Sequence, residues 1–146
     1  FPVTGGLVPE AREPVRLGRA PSVEVNRKGK VMVLDDEPSI TRYLSKMLQN
    51  HGFDVTVSND PQDAFEKITE SSIEIDLLIT DYSMPSMTGM ELAEKVLSIR
   101  PEMPIILMTG YSAHIDGELA MKGGVKGFLK KPMTQEVMLE KVNQLL

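Results

Sequence analysis

Cysteine and tryptophan are absent from this 146-residue chain, and four Phe and three Tyr supply all of its aromatic surface. Without cysteine there is no disulfide framework, no thiolate zinc site and no cysteine nucleophile. That lack is compatible with the cytosol. Basic charge is in deficit: 16 Lys+Arg stand against 21 Asp+Glu, a formal net charge of −5. A general nucleic-acid binder is normally basic, so no nucleic-acid partner is expected of this chain. No apolar run approaches the roughly 18 residues of a membrane-spanning helix, and no apolar stretch follows a basic start as in a signal peptide. What is present, 41% hydrophobic and 25% charged residues, is the composition and length of one globular domain.

Residues 1–27 stand apart. They hold four Pro and three Gly, with four Arg against three Glu and no helical or strand period. Such a segment buries too little apolar surface to offset the entropy of ordering it. A flexible linker or tail over 1–27 and a domain over 28–146 are expected. The first residue is Phe1, not Met, so a processed chain or a fragment of a longer one is expected too.

From Lys28 onward, strand and helix patterns alternate. Val31 to Leu34 is a short apolar run that reads as a strand buried on both faces. Pro38 suits the first turn of a helix, whose stripe is Ile40, Leu44, Met47 and Leu48 and whose end is a glycine cap at His51-Gly52. Phe53, Val55 and Val57 alternate as in a half-exposed strand. Asp60-Pro61 opens a helix carrying Ala64, Phe65 and Ile68. Ile75 to Thr80 is a third strand, Gly89 to Ile99 a helix and Ile105 to Met108 a fourth strand. A weaker helix is expected from about Ser112 to Lys122, then a strand over Val125 to Leu129. A closing helix is striped by Met138, Leu139, Val142, Leu145 and Leu146. Five βα units imply an α/β fold, a doubly wound five-stranded parallel sheet with five helices. The site of such a sheet lies at the carboxyl ends of its strands.

Those ends carry chemistry. Asp35, Asp36 and Glu37 follow the first strand, Asp81 the third, Thr109 the fourth, and Lys130 and Lys131 the fifth. Crowded carboxylates repel, and a hard cation relieves them. Oxygen-only ligands point to Mg²⁺, with Mn²⁺ as a substitute. A lysine and a threonine hydroxyl opposite the metal could hold an anion, which suggests phosphoryl transfer.

Four motifs in order, Val33-Leu34-Asp35-Asp36-Glu37-Pro38, Thr80-Asp81-Tyr82-Ser83-Met84-Pro85, Met108-Thr109-Gly110 and Phe128-Leu129-Lys130-Lys131-Pro132, resemble the receiver domain of two-component response regulators, a flavodoxin-like fold. The resemblance covers roughly Lys30 to Leu146. It implies that Asp81 is the phosphoacceptor, attacking a phosphohistidine on a partner. It implies Mg²⁺ held by Asp36, Asp81 and the backbone carbonyl of Ser83, with Asp35 acting through a metal-bound water. Thr109 matches the switch hydroxyl, Lys131 the lysine on the phosphoryl group, Phe128 the aromatic switch and Pro132 the proline that is commonly cis. A histidine kinase or histidine phosphotransfer domain is implied as donor, docking near helix one past Ser39 and Arg42. A downstream effector or dimer partner would read the face of helix four, strand five and helix five. The receiver by itself would be a phosphoacceptor with self-phosphotransfer and autodephosphorylation activity, cytoplasmic, although a parent kinase could be membrane-anchored.

Lys130 precedes Lys131 where the family more often has an apolar residue, so Lys130 is the alternative lysine. Ser86 replaces the frequent Gly or Asn of the Met-Pro turn. Ser83 and Tyr111 are expected to flank the phosphate, with Tyr82 at the rim. His51 and His114 are expected at exposed helix ends, not as ligands. The wording around Asp81 and Met108-Thr109-Gly110-Tyr111-Ser112 resembles the C-terminal receivers of hybrid sensor histidine kinases, and Phe1-Pro2-Val3 looks like the last strand of a kinase ATP-binding domain. A stand-alone regulator is the alternative. A flavodoxin-like binder would want a Ser/Thr/Gly cradle where Asp35-Asp36-Glu37 stand. An aspartate-nucleophile phosphohydrolase would want a second acid where Ser83 stands. A pseudo-receiver that binds partners without phosphorylation is the remaining rival.

Overall fold

The computed structural model describes residues 29–70, 74–110, 121, 123–131 and 133–146. The expected linker over 1–27, the expected helix over 112–122 apart from Met121, Tyr111, and Pro132 lie outside them, His114 with that helix.

The chain runs β1 (Lys30–Leu34), α1 (Pro38–Asn50), β2 (Asp54–Ser58), α2 (Pro61–Thr69), β3 (Leu77–Asp81), α3 (Gly89–Ile99), β4 (Ile105–Thr109), β5 (Gly127–Lys130) and α4 (Gln135–Leu145). The closing helix expected as the fifth is thus α4 among the described residues. All five strands pair in parallel in the order β2-β1-β3-β4-β5. The strand order reverses between β1 and β3, so their carboxyl ends border the crevice where such sheets bind ligands.

Strand pleating sorts the apolar residues into two layers. Val31, Val33, Leu77, Ile79, Ile106 and Met108 pack against Leu44, Met47 and Leu48 of α1 and Met138 and Val142 of α4. Met32, Leu34, Leu78, Ile105 and Leu107 pack against Ala64 and Ile68 of α2 and Leu92, Ala93 and Val96 of α3. Burial on both faces explains why the three inner strands read as unbroken apolar runs.

The ends of α1 are as its sequence dictates. Pro38 begins it, where a missing N–H costs nothing, and Gly52, at φ 95, turns the chain out of it. Thr41 joins the buried side of α1, while Ile40 is only half-buried. Phe53 lies before β2: its N–H bonds the Leu48 carbonyl at 3.1 Å and its ring fills the core. Two strands begin later than their apolar runs. Ile75 is buried, but its carbonyl accepts from Arg100 Nη2 at 3.0 Å instead of from a strand. Val125 is buried ahead of the ladder, which Lys126 opens by donating to the Ile105 carbonyl at 3.0 Å. At the other end β3 runs one residue further, because Tyr82 N–H donates to the Met108 carbonyl at 2.8 Å and keeps Asp81 in the sheet.

Near the start of β1, a Cβ added at Gly29 would come within 3.0 Å of Leu146 Cδ1. The two ends of the described domain therefore meet at the amino edge of the strands. No helix among the described residues is long and apolar enough to cross a membrane.

Candidate phosphoacceptor site

Asp35, Asp36 and Asp81 converge at the carboxyl edge, each with a carboxylate oxygen within 4.8 Å of the others. Asp81 is the last residue of β3; Asp35 follows β1 directly. Asp35 is fully buried and Asp81 nearly so, whereas Asp36 is exposed. Lys131 reaches into the group from beyond β5. Its Nζ lies 2.9 Å from Asp35 Oδ2 and 3.0 Å from Asp81 Oδ1. Its backbone N–H donates to the Thr109 carbonyl at 2.6 Å, which seats the lysine against the end of β4. Lys130 is exposed and lies opposite Thr109 in the ladder; among the described residues it makes none of these ion pairs. Of the two lysines, geometry selects Lys131.

Local hydrogen bonds hold the acidic loop. Asp35 Oδ1 accepts from Glu37 N–H at 2.9 Å, and Asp35 N–H donates to the Ser58 carbonyl at 3.3 Å. Asn59 Nδ2 donates to the Asp35 carbonyl at 2.8 Å and to Thr41 Oγ1 at 3.0 Å. Beneath Asp81, Gly89 N–H donates to the Tyr82 carbonyl at 2.8 Å. A Cβ at Gly89 would lie 2.3 Å from the Asp81 carbonyl oxygen, so α3 approaches the strand end more closely than any other residue permits.

Burial pushes the Asp81 carboxyl above its ordinary range; the Lys131 hydrogen bond opposes this, and the Asp35 and Asp36 charges add to it. Burial alone would lower the Lys131 ammonium, but its bonds to Asp35 and Asp81 outweigh that and leave it raised. Burial dominates the Asp81 shift, whereas for Lys131 the two neighbouring carboxylates overcome it. Three carboxylates and one lysine leave two formal negative charges among oxygen donors, and the donor set fits a hard divalent cation.

Thr109 is buried at the end of β4, beside the Asp81–Met108 pair of the ladder. Phe128 is half-buried against the layer that holds Met32, Leu34 and Leu107. Ser83 is exposed on the loop two residues past Asp81, and Tyr82 is half-buried against the same layer as Phe128. His51 is half-buried, not exposed as expected, and its Nδ1 bonds the Met47 carbonyl at 2.9 Å at the end of α1, outside the carboxylate cluster. Asn59 and Gly89 escaped the sequence reading. Ser58-Asn59-Asp60-Pro61 reads as a simple turn, and nothing local shows that Asn59 reaches a residue 24 positions back. Gly89 left a faint signal, a poor helix former at a helix start.

Residues 31–143 match the family described as the response regulator receiver domain. Chemotaxis protein CheY1 of Helicobacter pylori is 33% identical over 120 residues, spanning 80% of this chain and 96% of that protein. A response regulator receiver domain protein from Clostridium thermocellum superposes with TM-score 0.76 at 31% identity, over 80% of this chain and 93% of that one. The response regulator TrrA of Thermotoga maritima, solved in complex with Mg²⁺-BeF, superposes with TM-score 0.73 at 30% identity, over 81% of this chain and 99% of that one.

Proposed function

This chain belongs to the response regulator receiver domain family, and from that premise we propose that Asp81 is the phosphoacceptor of a two-component phosphorelay. The observation that carries the reading is the bridge of Lys131 between Asp35 and Asp81, at 2.9 and 3.0 Å, inside one cluster with Asp36. In the transfer, an Asp81 carboxylate oxygen forms a bond to phosphorus as the bond from phosphorus to a partner's histidine nitrogen breaks. The imidazole leaves with the electron pair. Asp35, Asp36, Asp81 and the Ser83 carbonyl would hold Mg²⁺, or Mn²⁺ in its place. When bound, that ion supplies neutralisation of charge on the phosphoryl oxygens. The Mg²⁺-BeF complex of TrrA supports this assignment.

Lys131, paired with both Asp35 and Asp81, contributes a fixed positive charge beside the acceptor carboxylate. Thr109, at the end of the neighbouring strand, offers its hydroxyl to the new phosphoryl group. Thr109 and Phe128 then bias the face of β5 and α4, and an effector or dimer partner reads that face. The donor, a histidine kinase or histidine phosphotransfer domain, docks near α1. A hybrid sensor kinase remains the favoured parent on the wording of the motifs around Asp81 and Thr109. The CheY1 likeness, which spans 96% of that protein, favours a stand-alone regulator as the second reading.

The test is intact mass after incubation with Mg²⁺ and acetyl phosphate, on wild type and Asp81→Asn. The expected result is one added phosphoryl group on wild type and none on the variant. Modification of both would displace Asp81 as the acceptor. If neither is modified, a phosphohistidine protein is offered next, and failure there overturns the reading.

A further inference from the structure

We propose that Asn59 is a positioning residue that sets the cation affinity of the acidic pair by fixing the Asp35–Asp36 peptide, an inference that rests on the Mg²⁺-dependent phosphoacceptor reading. Asn59 touches neither a carboxylate nor the nucleophile. It lies on the loop after β2 and is itself exposed. Its side chain does not cap α2; Asp60 does that, accepting from Asp63 N–H at 3.0 Å. The Asn59 amide instead reaches across to two other elements.

At 2.8 Å it donates to the carbonyl of Asp35, the oxygen of the peptide that joins Asp35 to Asp36. At 3.0 Å it donates to Thr41 Oγ1, which passes its own proton to the Pro38 carbonyl at 3.1 Å. Both partners are acceptors here, so both amide protons are used and the side chain has one orientation. Asp35 N–H is meanwhile held by the Ser58 carbonyl and Asp35 Oδ1 by Glu37 N–H. Asp35 is thereby clamped on both sides of its Cα, and the plane leading to Asp36 has one setting.

That setting matters because Asp36 has no ion-pair partner among the described residues and is exposed. The carboxylate of Asp36 is placed by its backbone, which the Asn59 bond holds on one side and the bond of Glu37 N–H to Asp35 Oδ1 on the other. Without the bond the peptide plane can rotate, the Asp36 carboxylate swings, and ordering it again falls to the incoming cation. Outer partners of this kind commonly change metal affinity by about 10- to 100-fold when removed.

The experiment is a Mg²⁺ titration by calorimetry on wild type, Asn59→Ala and Thr134→Ala, joined to the rate of acetyl phosphate uptake against Mg²⁺ concentration. Thr134 caps α4 by accepting from Val137 N–H at 3.2 Å and, among the described residues, makes no hydrogen bond to Asn59 or the Asp35–Asp36 peptide, so its variant is the comparison for stability lost with that peptide left tied. Asn59→Ala is expected to weaken the Mg²⁺ dissociation constant by about tenfold. Half-saturation of the rate should move by the same factor, while the rate at saturating Mg²⁺ returns to within about twofold of wild type. Thr134→Ala should lower the melting temperature and leave the dissociation constant unchanged. Wild-type Mg²⁺ affinity in Asn59→Ala, with only a lower melting temperature, overturns the inference and leaves Asn59 a loop tie. Equal weakening of affinity in both variants overturns it as well. A wild-type chain that binds no Mg²⁺ overturns the underlying reading, a separate and recognisable result.

Discussion

Lys131 shares one ammonium between two carboxylates that are almost removed from water. Taking it away leaves Asp35, fully buried, without its counter-charge. Breaking a buried pair from one side costs about 3–5 kcal/mol; Lys131 keeps 23% of its side chain exposed, so about 2 kcal/mol is expected for Lys131→Ala by urea denaturation. Loss of stability without loss of phosphoryl uptake would fit a lysine that couples phosphorylation to the conformational response. Asp81→Asn goes the other way in chelator. The Asp81 pKa is raised in the fold above its ordinary 3.8. A raised carboxyl favours folding fully below the unfolded value and loses that contribution as pH rises through the folded one. Metal-free wild type should therefore lose stability relative to Asp81→Asn as pH climbs from about 4 through the raised value, then run parallel to it. At neutral pH the variant should melt a few degrees higher, where about 1 kcal/mol corresponds to about 3–6 °C at this size. Melting curves from pH 4 to 8 in EDTA check it, and a gap that closes with rising pH would contradict the burial of Asp81.

At the scale of elements, α3 supports the strand end that carries Asp81. Thr88 and Glu91 close its first turn reciprocally, at 3.1 and 2.9 Å, a capping pair that the sequence reading, which began the helix at Gly89, did not single out. The need for glycine was not legible, because the obstructing atom is the Asp81 carbonyl on the adjoining strand end, at 2.3 Å from an added Cβ. Gly89→Ala forces α3 away from β3. Overpacking costs about 1–3 kcal/mol where side chains can give; here a backbone oxygen must move, so a loss of about 3 kcal/mol or more is expected. Slower phosphoryl uptake should accompany it, and an unchanged denaturation midpoint would sink the argument. The contrast between local pattern and contact across segments explains what the sequence revealed. Period and burial placed every described helix and strand, since apolar stripes report the layer a residue faces. They misplaced the starts of β3 and β5, since Ile75 and Val125 are buried without joining the ladder. They found Asp35, Asp36, Asp81 and Thr109 as acids and a hydroxyl at strand ends. The register of Phe128-Leu129-Lys130-Lys131-Pro132 already pointed to Lys131 over Lys130, and the ion pairs of Lys131 agree with it; the reach of Asn59 depends on a distance between segments that no local pattern encodes.

At the scale of the molecule, the proposed cation site would make folding and cation binding one equilibrium. A ligand that binds only the folded chain stabilises it by about 2.7 kcal/mol at 100 times its dissociation constant. The melting temperature of wild type should climb with the logarithm of Mg²⁺ concentration and fail to climb with NaCl at matched ionic strength. A smaller Mg²⁺ increment is expected for Asp81→Asn, which removes one of the three carboxylates. Equal increments with both salts would show general screening in place of a site.

Gly29 and Leu146 touch at the amino edge of the sheet, while the carboxylates gather at the carboxyl edge. The body thus has a handle on one side and its reactive surface on the other. A segment with neighbouring ends behaves as a cassette: residues 29–146 can be spliced into a surface loop of an unrelated host without prying that host apart. The expected result is two independent melting transitions in the chimera, with Mg²⁺ raising only the guest's.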